Sequence, residues 1–121
     1  MAQSKAFRPI ALLVEDDPIQ REMIALLLET DYDVIRCEDG QTAQLALKNR
    51  RPAVLITDVS LVGNMTGIEL AHLAREADPA LCIIVMSGKP PPSALPDDVT
   101  FFSKPFYPIE LIRELNTGRG H

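Results

Sequence analysis

The sequence has no long apolar run. Its first apolar segment, Ile10–Val14, follows Arg8 and Pro9 and is only five residues long, whereas a membrane-spanning helix needs about 20 apolar residues. A secretion signal needs an apolar core of about 7–15 residues near the N-terminus. The sequence therefore predicts neither a membrane span nor a signal peptide, and we expect a cytoplasmic protein without a membrane partner.

Positive charge and cysteine are also scarce. Twelve lysine and arginine residues stand against seventeen acidic residues, which gives a net charge of −5. An acidic surface repels the phosphates of nucleic acids and anionic lipids, so we expect no nucleic-acid partner. The two cysteines, Cys37 and Cys82, lie in separate apolar segments without metal-ligand spacing. This favours buried apolar roles over a reactive thiol or a disulfide.

Internal repeats and a domain linker are absent as well. The 121 residues suffice for one hydrophobic core but leave no room for a second folded module, such as a DNA-binding effector. Hydrophobic residues make up 46% and charged residues 24%, as is usual for soluble globular domains. We therefore expect a single domain over residues 1–121.

Strand-like and helix-like segments alternate along the chain, which is the pattern of βαβ units in a parallel sheet. Asp17 and Pro18 supply an N-cap and a proline at the first helical position, while Thr66 and Glu69 have the spacing of a capping box. The predicted strands cover residues 10–14, 33–37, 53–56, 81–86 and 99–103. The predicted helices cover residues 18–30, 40–49, 66–78 and 108–116.

Four prolines interrupt this alternation after the fourth predicted strand. Pro90, Pro91, Pro92 and Pro96 remove backbone donors and clash with preceding carbonyls, which excludes a regular multi-turn helix. Residues 88–99 are therefore predicted to form a proline-stiffened loop where the alternation requires a fourth helix. We expect Leu95, within this loop, to be largely buried over the fourth and fifth strands, and the loop itself to be mobile.

Polar side chains stand where the predicted strands end. Glu15 and Asp16 follow the first strand, Asp58 the third, Ser87 the fourth and Lys104 the fifth. Ligands of open α/β sheets bind beyond the carboxyl ends of the strands, so we expect these side chains to converge there. Carboxylates, a hydroxyl and an ammonium group together predict a phosphoryl-acceptor site that depends on Mg²⁺.

Residues 12–17, 56–58, 85–88 and 103–106 resemble the motifs of the receiver domain of bacterial two-component response regulators. The resemblance covers residues 10–115. It implies a flavodoxin-like, doubly wound α/β fold with a five-stranded parallel sheet in the order 2-1-3-4-5. In this chain we expect the fourth helix of that fold to be replaced by the proline-rich loop.

The resemblance also implies a role for each site residue. Asp58 is the phosphorylated nucleophile, and it binds Mg²⁺ together with Asp16. Glu15 holds the metal directly or through water, and the main-chain carbonyl of Ser60 adds a neutral oxygen.

Three further residues complete the implied site. Lys104 neutralises first a carboxylate and then a phosphoryl oxygen, and Ser87 donates a hydrogen bond to the phosphoryl group. Phe101 matches the aromatic switch position of the family, although a plain core phenylalanine explains it equally well.

The predicted function is a phosphoacceptor switch that receives a phosphoryl group from a sensor histidine kinase or a histidine phosphotransfer protein. We expect a monomer or a weak dimer with no enzymatic role beyond its own phosphorylation and dephosphorylation. One alternative is a phosphohydrolase of the haloacid-dehalogenase type, which usually needs an acid where Ser60 stands. Another is a protein-binding module that works without phosphorylation.

The first predicted helix has two apolar rows. Ile24, Leu27 and Leu28 suffice to pack on the sheet, whereas a second row lies partly around the helix and consists of Ile19, Met23 and Leu26. The second row either forms an exposed groove for a partner helix beside the site, or widens the buried face.

Overall fold

Five strands and four helices make up the computed structural model, which describes residues 7–118. The strands are β1 (Ile10–Val14), β2 (Asp33–Cys37), β3 (Val54–Asp58), β4 (Cys82–Ser87) and β5 (Val99–Ser103). The helices are α1 (Pro18–Leu28), α2 (Gly40–Arg50), α3 (Gly67–Ala77) and α4 (Pro108–Gly118). The ends of the predicted domain, residues 1–6 and 119–121, lie outside the described residues. Within residues 7–118 no helix is long and apolar enough to cross a membrane.

The strands form one parallel sheet in the order β2-β1-β3-β4-β5, which confirms the predicted strand order. In the register, Val14 pairs with both Cys37 and Thr57, and Asp58 pairs with Met86. Ser87 pairs with Ser103. The carboxyl ends of all five strands therefore lie along one edge of the sheet.

The N-terminal caps that the sequence predicted for α1 and α3 are present in the structure. The Asp17 carboxylate accepts hydrogen bonds from the backbone N–H groups of Ile19 and Gln20 at 2.9 and 3.1 Å. Thr66 and Glu69 form the reciprocal capping box. Helix α1 ends two residues before the predicted boundary, because its last turn is closed by backbone bonds from residues 31 and 32 to the Leu28 carbonyl.

Apolar side chains cover both faces of the sheet. One core cluster joins the strands to α2 and α3, and it includes Leu12, Leu55 and Ile68. The other joins them to α1 and α4, and it includes Leu13 and Leu111. Successive residues of a strand point to opposite faces, which explains why the central strands are continuous apolar runs.

Both cysteines take part in this core. Cys37 is buried in the cluster on the α2 and α3 side, and the partly buried Cys82 packs against the other cluster. Burial raises the pKa of the Cys37 thiol, and the nearby Asp39 charge adds to the effect. A raised pKa makes the thiolate scarce, as expected of a cysteine with a packing role.

The connection from β4 to β5 differs from the other crossovers. Residues 88–98 form bends and turns without a helix. The expectation of a replaced fourth helix is nevertheless not confirmed in that form, because the structure has a fourth helix, α4, after β5. Leu95 is only partly buried against the cluster on the α2 and α3 side, so the expectation of a largely buried side chain was too strong.

Two side chains of α3 hold the proline-rich loop in place. His72 Nε2 lies 2.9 Å from the Ala94 carbonyl oxygen. The Arg75 guanidinium donates to the carbonyls of Asp97 and Asp98, each at 3.0 Å, and to that of Leu81 at 2.7 Å. Polar contacts, rather than a regular hydrogen-bond ladder, thus tie the loop to α3 and β4.

Candidate functional site

Backbone bonds that continue the sheet fix the predicted site residues beyond the strand ends. The Glu15 N–H donates to the Cys37 carbonyl at 3.0 Å, and the Lys104 N–H donates to the Ser87 carbonyl at 2.8 Å. Asp58 is the last residue of the central strand β3 and pairs with β4. Glu15, Asp58, Ser87 and Lys104 therefore project from four neighbouring strand ends, as the sequence predicted.

The Lys104 ammonium group links three of the surrounding side chains. Its Nζ lies 2.8 Å from Asp58 Oδ1 and 2.9 Å from Glu15 Oε1. It also donates to Gln20 Oε1 at 2.6 Å. An ammonium group has three N–H donors, and here each has an oxygen acceptor. Lys104 is therefore held by its contacts rather than left as a solvated surface lysine.

Burial and charge shift the protonation of this cluster. Glu15 is only 1% exposed, and burial raises its pKa although the hydrogen bond from Lys104 opposes the shift. Burial lowers the pKa of Lys104, but the hydrogen bonds that Lys104 donates to Asp58 and Glu15 outweigh it, so the pKa stands above its ordinary value. Lys104 consequently stays charged, and one cation faces two buried carboxyl groups.

Two other predicted metal ligands lie at the rim of this cluster. Asp16 is partly buried next to Glu15, and Ser60 is exposed two residues beyond Asp58. Across residues 7–118, no three or more His, Cys, Asp or Glu side chains are arranged as a ready metal site. The oxygen donors of Glu15, Asp16 and Asp58 are of the chemical type that Mg²⁺ prefers, while Lys104 now bridges two of them.

Ser87 and Phe101 flank the cluster on the β4 and β5 side. Ser87 is buried, and its Oγ accepts a hydrogen bond from the Lys89 N–H at 3.1 Å. The space that a side chain would occupy at Gly88 is open, which leaves room next to Ser87. Phe101 pairs with Val85 and packs, partly buried, against the core cluster on the α2 and α3 side.

Sequence reasoning missed two residues that shape the site. Gln20 supplies the third acceptor of Lys104, and a glutamine in a first helical turn carries no signal for this role. Gly67 lies so close to β3 that a Cβ would overlap the Asp58 carbonyl oxygen. A glycine at the first position of a helix, where most residues fit, was the available signal.

An apolar groove of about 670 Å³ lies beside the site, between α1 and the segment from Lys104 to Pro108. The second apolar row of α1 remains outside the core, since Ile19 is 72%, Met23 62% and Leu26 68% exposed. The interpretation of a wide buried face is therefore wrong. Met23 and Leu26 line the groove, and so does the polar Gln20.

The family model of the response regulator receiver domain matches residues 11–116. The chain belongs to the response regulator receiver domain family. As a receiver domain it is a phosphoacceptor signalling switch of two-component systems. The match includes Glu15, Asp16, Asp58, Ser87 and Lys104.

Relatives of this receiver domain differ widely in length. The chain is 36% identical over 110 residues to the response regulator receiver protein CpdR of Brucella abortus, and the match covers 86% of this chain and 91% of CpdR. It is 36% identical over 92 residues to the sensor histidine kinase TmoS of Ectopseudomonas mendocina, covering 74% of this chain and 9% of TmoS. It spans slightly less than half of the transcriptional regulators that it matches.

Solved structures share the fold of this receiver domain. A response regulator receiver protein from Sinorhizobium medicae WSM419 superimposes with a TM-score of 0.83, over 93% of this chain and 95% of that one. The two sequences are 21% identical, so this comparison supports the architecture alone.

Proposed function

We propose that this receiver domain accepts a phosphoryl group on Asp58. The observation that supports this most strongly is the Lys104 ammonium group, 2.8 Å from Asp58 Oδ1 and 2.9 Å from Glu15 Oε1. A carboxylate oxygen of Asp58 attacks the phosphorus of a phosphohistidine, the P–N bond breaks, and the imidazole leaves with its electron pair and takes up a proton. The product is an acyl phosphate on a residue that is 8% exposed.

Mg²⁺ is the proposed cofactor. Asp16 and Asp58 would bind it, Glu15 directly or through water, and the Ser60 main-chain carbonyl would supply a neutral oxygen. When bound, the ion neutralises the clustered carboxylates and the oxygens of the incoming phosphoryl group. The donor set supports this assignment, because it consists only of hard oxygen atoms around a buried acidic centre.

Lys104, Ser87 and Phe101 are proposed to stabilise and transmit the phosphorylated state. After transfer, Lys104 turns its positive charge from the Asp58 carboxylate to a phosphoryl oxygen. Ser87, buried at the next strand end, accepts a hydrogen bond from the Lys89 N–H and would donate its hydroxyl proton to the phosphoryl group. Phe101 lies on β5 and pairs with Val85, two residues before Ser87 on β4, so a change in the packing of its ring would follow movement of Ser87.

The apolar groove beside Lys104 is the proposed docking surface for the phosphodonor. Ile19, Met23 and Leu26 offer an exposed apolar row next to the acceptor, which suits an amphipathic helix that carries a phosphohistidine. The donor would be a sensor histidine kinase or a histidine phosphotransfer protein, in keeping with the similarity to part of TmoS. The net charge of −5 gives no support to a nucleic-acid or membrane partner.

We further propose that residues 1–121 are one cytoplasmic domain, monomeric or weakly dimeric, that is not an enzyme in the ordinary sense. In this view the loop at residues 88–98 takes the place of the helix that usually connects β4 and β5 in the family. The phosphohydrolase alternative is weaker because an exposed serine, Ser60, stands where the second acid is needed. The protein-binding module is weaker because it leaves the Asp58–Lys104 contact without a purpose.

Phosphorylation by a small donor tests the proposal. Acetyl phosphate with Mg²⁺ should add one phosphoryl group, seen by intact mass spectrometry and removed by hydroxylamine. Asp58→Asn should abolish the addition, whereas Asp31→Asn, at the opposite edge of the sheet, should not change it. Equal labelling of Asp58→Asn would refute the assignment of the acceptor.

A further inference from the structure

The third hydrogen bond of Lys104 ends on a neutral side chain. Glu15 and Asp58 are acidic, whereas Gln20 accepts through its amide oxygen at 2.6 Å, the shortest of the three contacts. A neutral acceptor orients an ammonium group without neutralising it. The positive charge thus remains available to the phosphoryl group while its position is fixed.

The cap of α1 fixes the orientation of Gln20 itself. One carboxylate oxygen of Asp17 accepts from the backbone N–H of Gln20 at 3.1 Å, and the other lies 3.4 Å from Gln20 Nε2. Turning the amide around would place its NH₂ group against the Lys104 ammonium and its oxygen against the Asp17 carboxylate. Both contacts would be repulsive, so only one orientation of the amide satisfies the neighbours.

We infer that Gln20 is a positioning residue for Lys104 in phosphoryl transfer, an assignment that rests on the proposed function of Asp58. Its side chain bonds to Asp17 and Lys104 and acts by holding the ammonium group in contact with Asp58 and Glu15. Gln20 also lines the apolar groove, so a helix docked in the groove shields this hydrogen bond from water. Gln20 therefore contacts both the docking groove and the lysine that takes part in phosphoryl transfer.

Gln20→Met tests the role in transfer, because methionine keeps the length and helix propensity of glutamine but lacks the oxygen acceptor. The phosphorylation rate with acetyl phosphate at saturating Mg²⁺ should fall about fivefold. The apparent Kd for Mg²⁺ and the Tm should stay close to those of the wild type. Gln44→Met, at an exposed position of α2, is the matched control and should leave all three quantities unchanged.

The ammonium resonance of Lys104 gives a readout that does not require phosphorylation. In the metal-free wild type this NMR signal, assigned by its loss in Lys104→Met, should show slow proton exchange, and Gln20→Met should accelerate the exchange severalfold. The inference would be overturned if the Lys104 signal were undetectable in the wild type, or if its exchange rate were the same in Gln20→Met. A phosphorylation rate of Gln20→Met within a factor of about two of the wild-type rate would also overturn it. A wild type that is never phosphorylated would refute the role of Asp58, while the NMR result still decides whether Gln20 holds Lys104.

Discussion

At the scale of single residues, the site depends on close backbone approaches as well as on charged side chains. Gly67 donates its N–H to the Val59 carbonyl at 2.8 Å, and Thr57 Oγ1 donates to the Asp58 carbonyl at 2.9 Å. The backbone on both sides of Asp58 is thus held by α3 and by β3 itself. Any atom added at Gly67 must displace the backbone of Asp58.

Gly67→Ala should therefore be costly. The new Cβ would overlap the Asp58 carbonyl oxygen, and overpacking of this kind typically costs about 1–3 kcal/mol of unfolding free energy. We expect the unfolding free energy, measured by urea unfolding, to fall by an amount at the upper end of this range. Phosphorylation of Asp58 should also be slower.

Gly88→Ala is the matched control for this comparison. A Cβ at Gly88 meets nothing within 4 Å, so stability should hardly change. If Gly67→Ala and Gly88→Ala were equally stable, the close packing of α3 against β3 would be disproved.

At the scale of elements, α1 has one row of apolar side chains buried in the core and a second row exposed to solvent. Ile24 and Leu28 are buried against the sheet, whereas Ile19 and Leu26 are exposed beside the groove. The sequence predicted both rows, but periodicity alone could not decide whether the second row was buried. Whether the second row is buried depends on how far α4 and the Lys104–Pro108 segment extend over α1, and this is a property of the tertiary structure.

Replacing Ile19 and Leu26 by serine should separate docking from chemistry. Phosphotransfer from a cognate histidine kinase should slow at least about tenfold, since apolar anchors usually carry much of the binding energy of an interface. The phosphorylation rate with acetyl phosphate and the Tm should remain near wild-type values, because neither side chain is in the core. Equal slowing with both donors would contradict the assignment of the groove as a docking surface.

The proline-rich loop is the other element whose behaviour depends on tertiary contacts. The sequence predicted a loop at residues 88–99 from its prolines, and those residues gave no hint that Arg75 and His72 of α3 would hold it. Arg75 also holds Asp98, which has a positive φ of 56°, a conformation that a non-glycine residue adopts at some cost. The loop is therefore better anchored at its end than its composition indicates.

Arg75→Leu should release this end of the loop. Several hydrogen bonds to backbone carbonyls are lost at a half-exposed site, so we expect a destabilisation of about 1–2 kcal/mol. Amide hydrogen exchange should accelerate across residues 94–98 and remain unchanged in β1. Arg113→Leu, an exposed position of α4, serves as the control. Unchanged exchange in the loop of Arg75→Leu would show that packing of Leu95, not the guanidinium, holds the segment.

At the scale of the whole molecule, the fold was largely predictable and the details of the site were not. Alternating apolar and capped segments predicted a parallel α/β sheet, the resemblance to receiver domains implied its strand order, and the strand ends predicted that Glu15, Asp58 and Lys104 would meet. The partner of Lys104 on α1 and the approach of Gly67 could not be read from spacing, because both depend on how helices lie across the sheet. The sequence thus predicted which side chains would lie together, and packing determined their geometry.

We expect the acidic centre to make the stability of the whole domain sensitive to Mg²⁺. Glu15 and Asp58 are buried near one another with a single ammonium group between them, so a divalent ion that binds only the folded state should stabilise it. At about one hundred times its Kd, such a ligand adds about 2.7 kcal/mol to the unfolding free energy. The Tm should rise with Mg²⁺ concentration and return to its starting value on adding a chelator. Asp16→Asn should remove most of this response and Asp31→Asn none, and a full response in Asp16→Asn would show that the ion binds elsewhere.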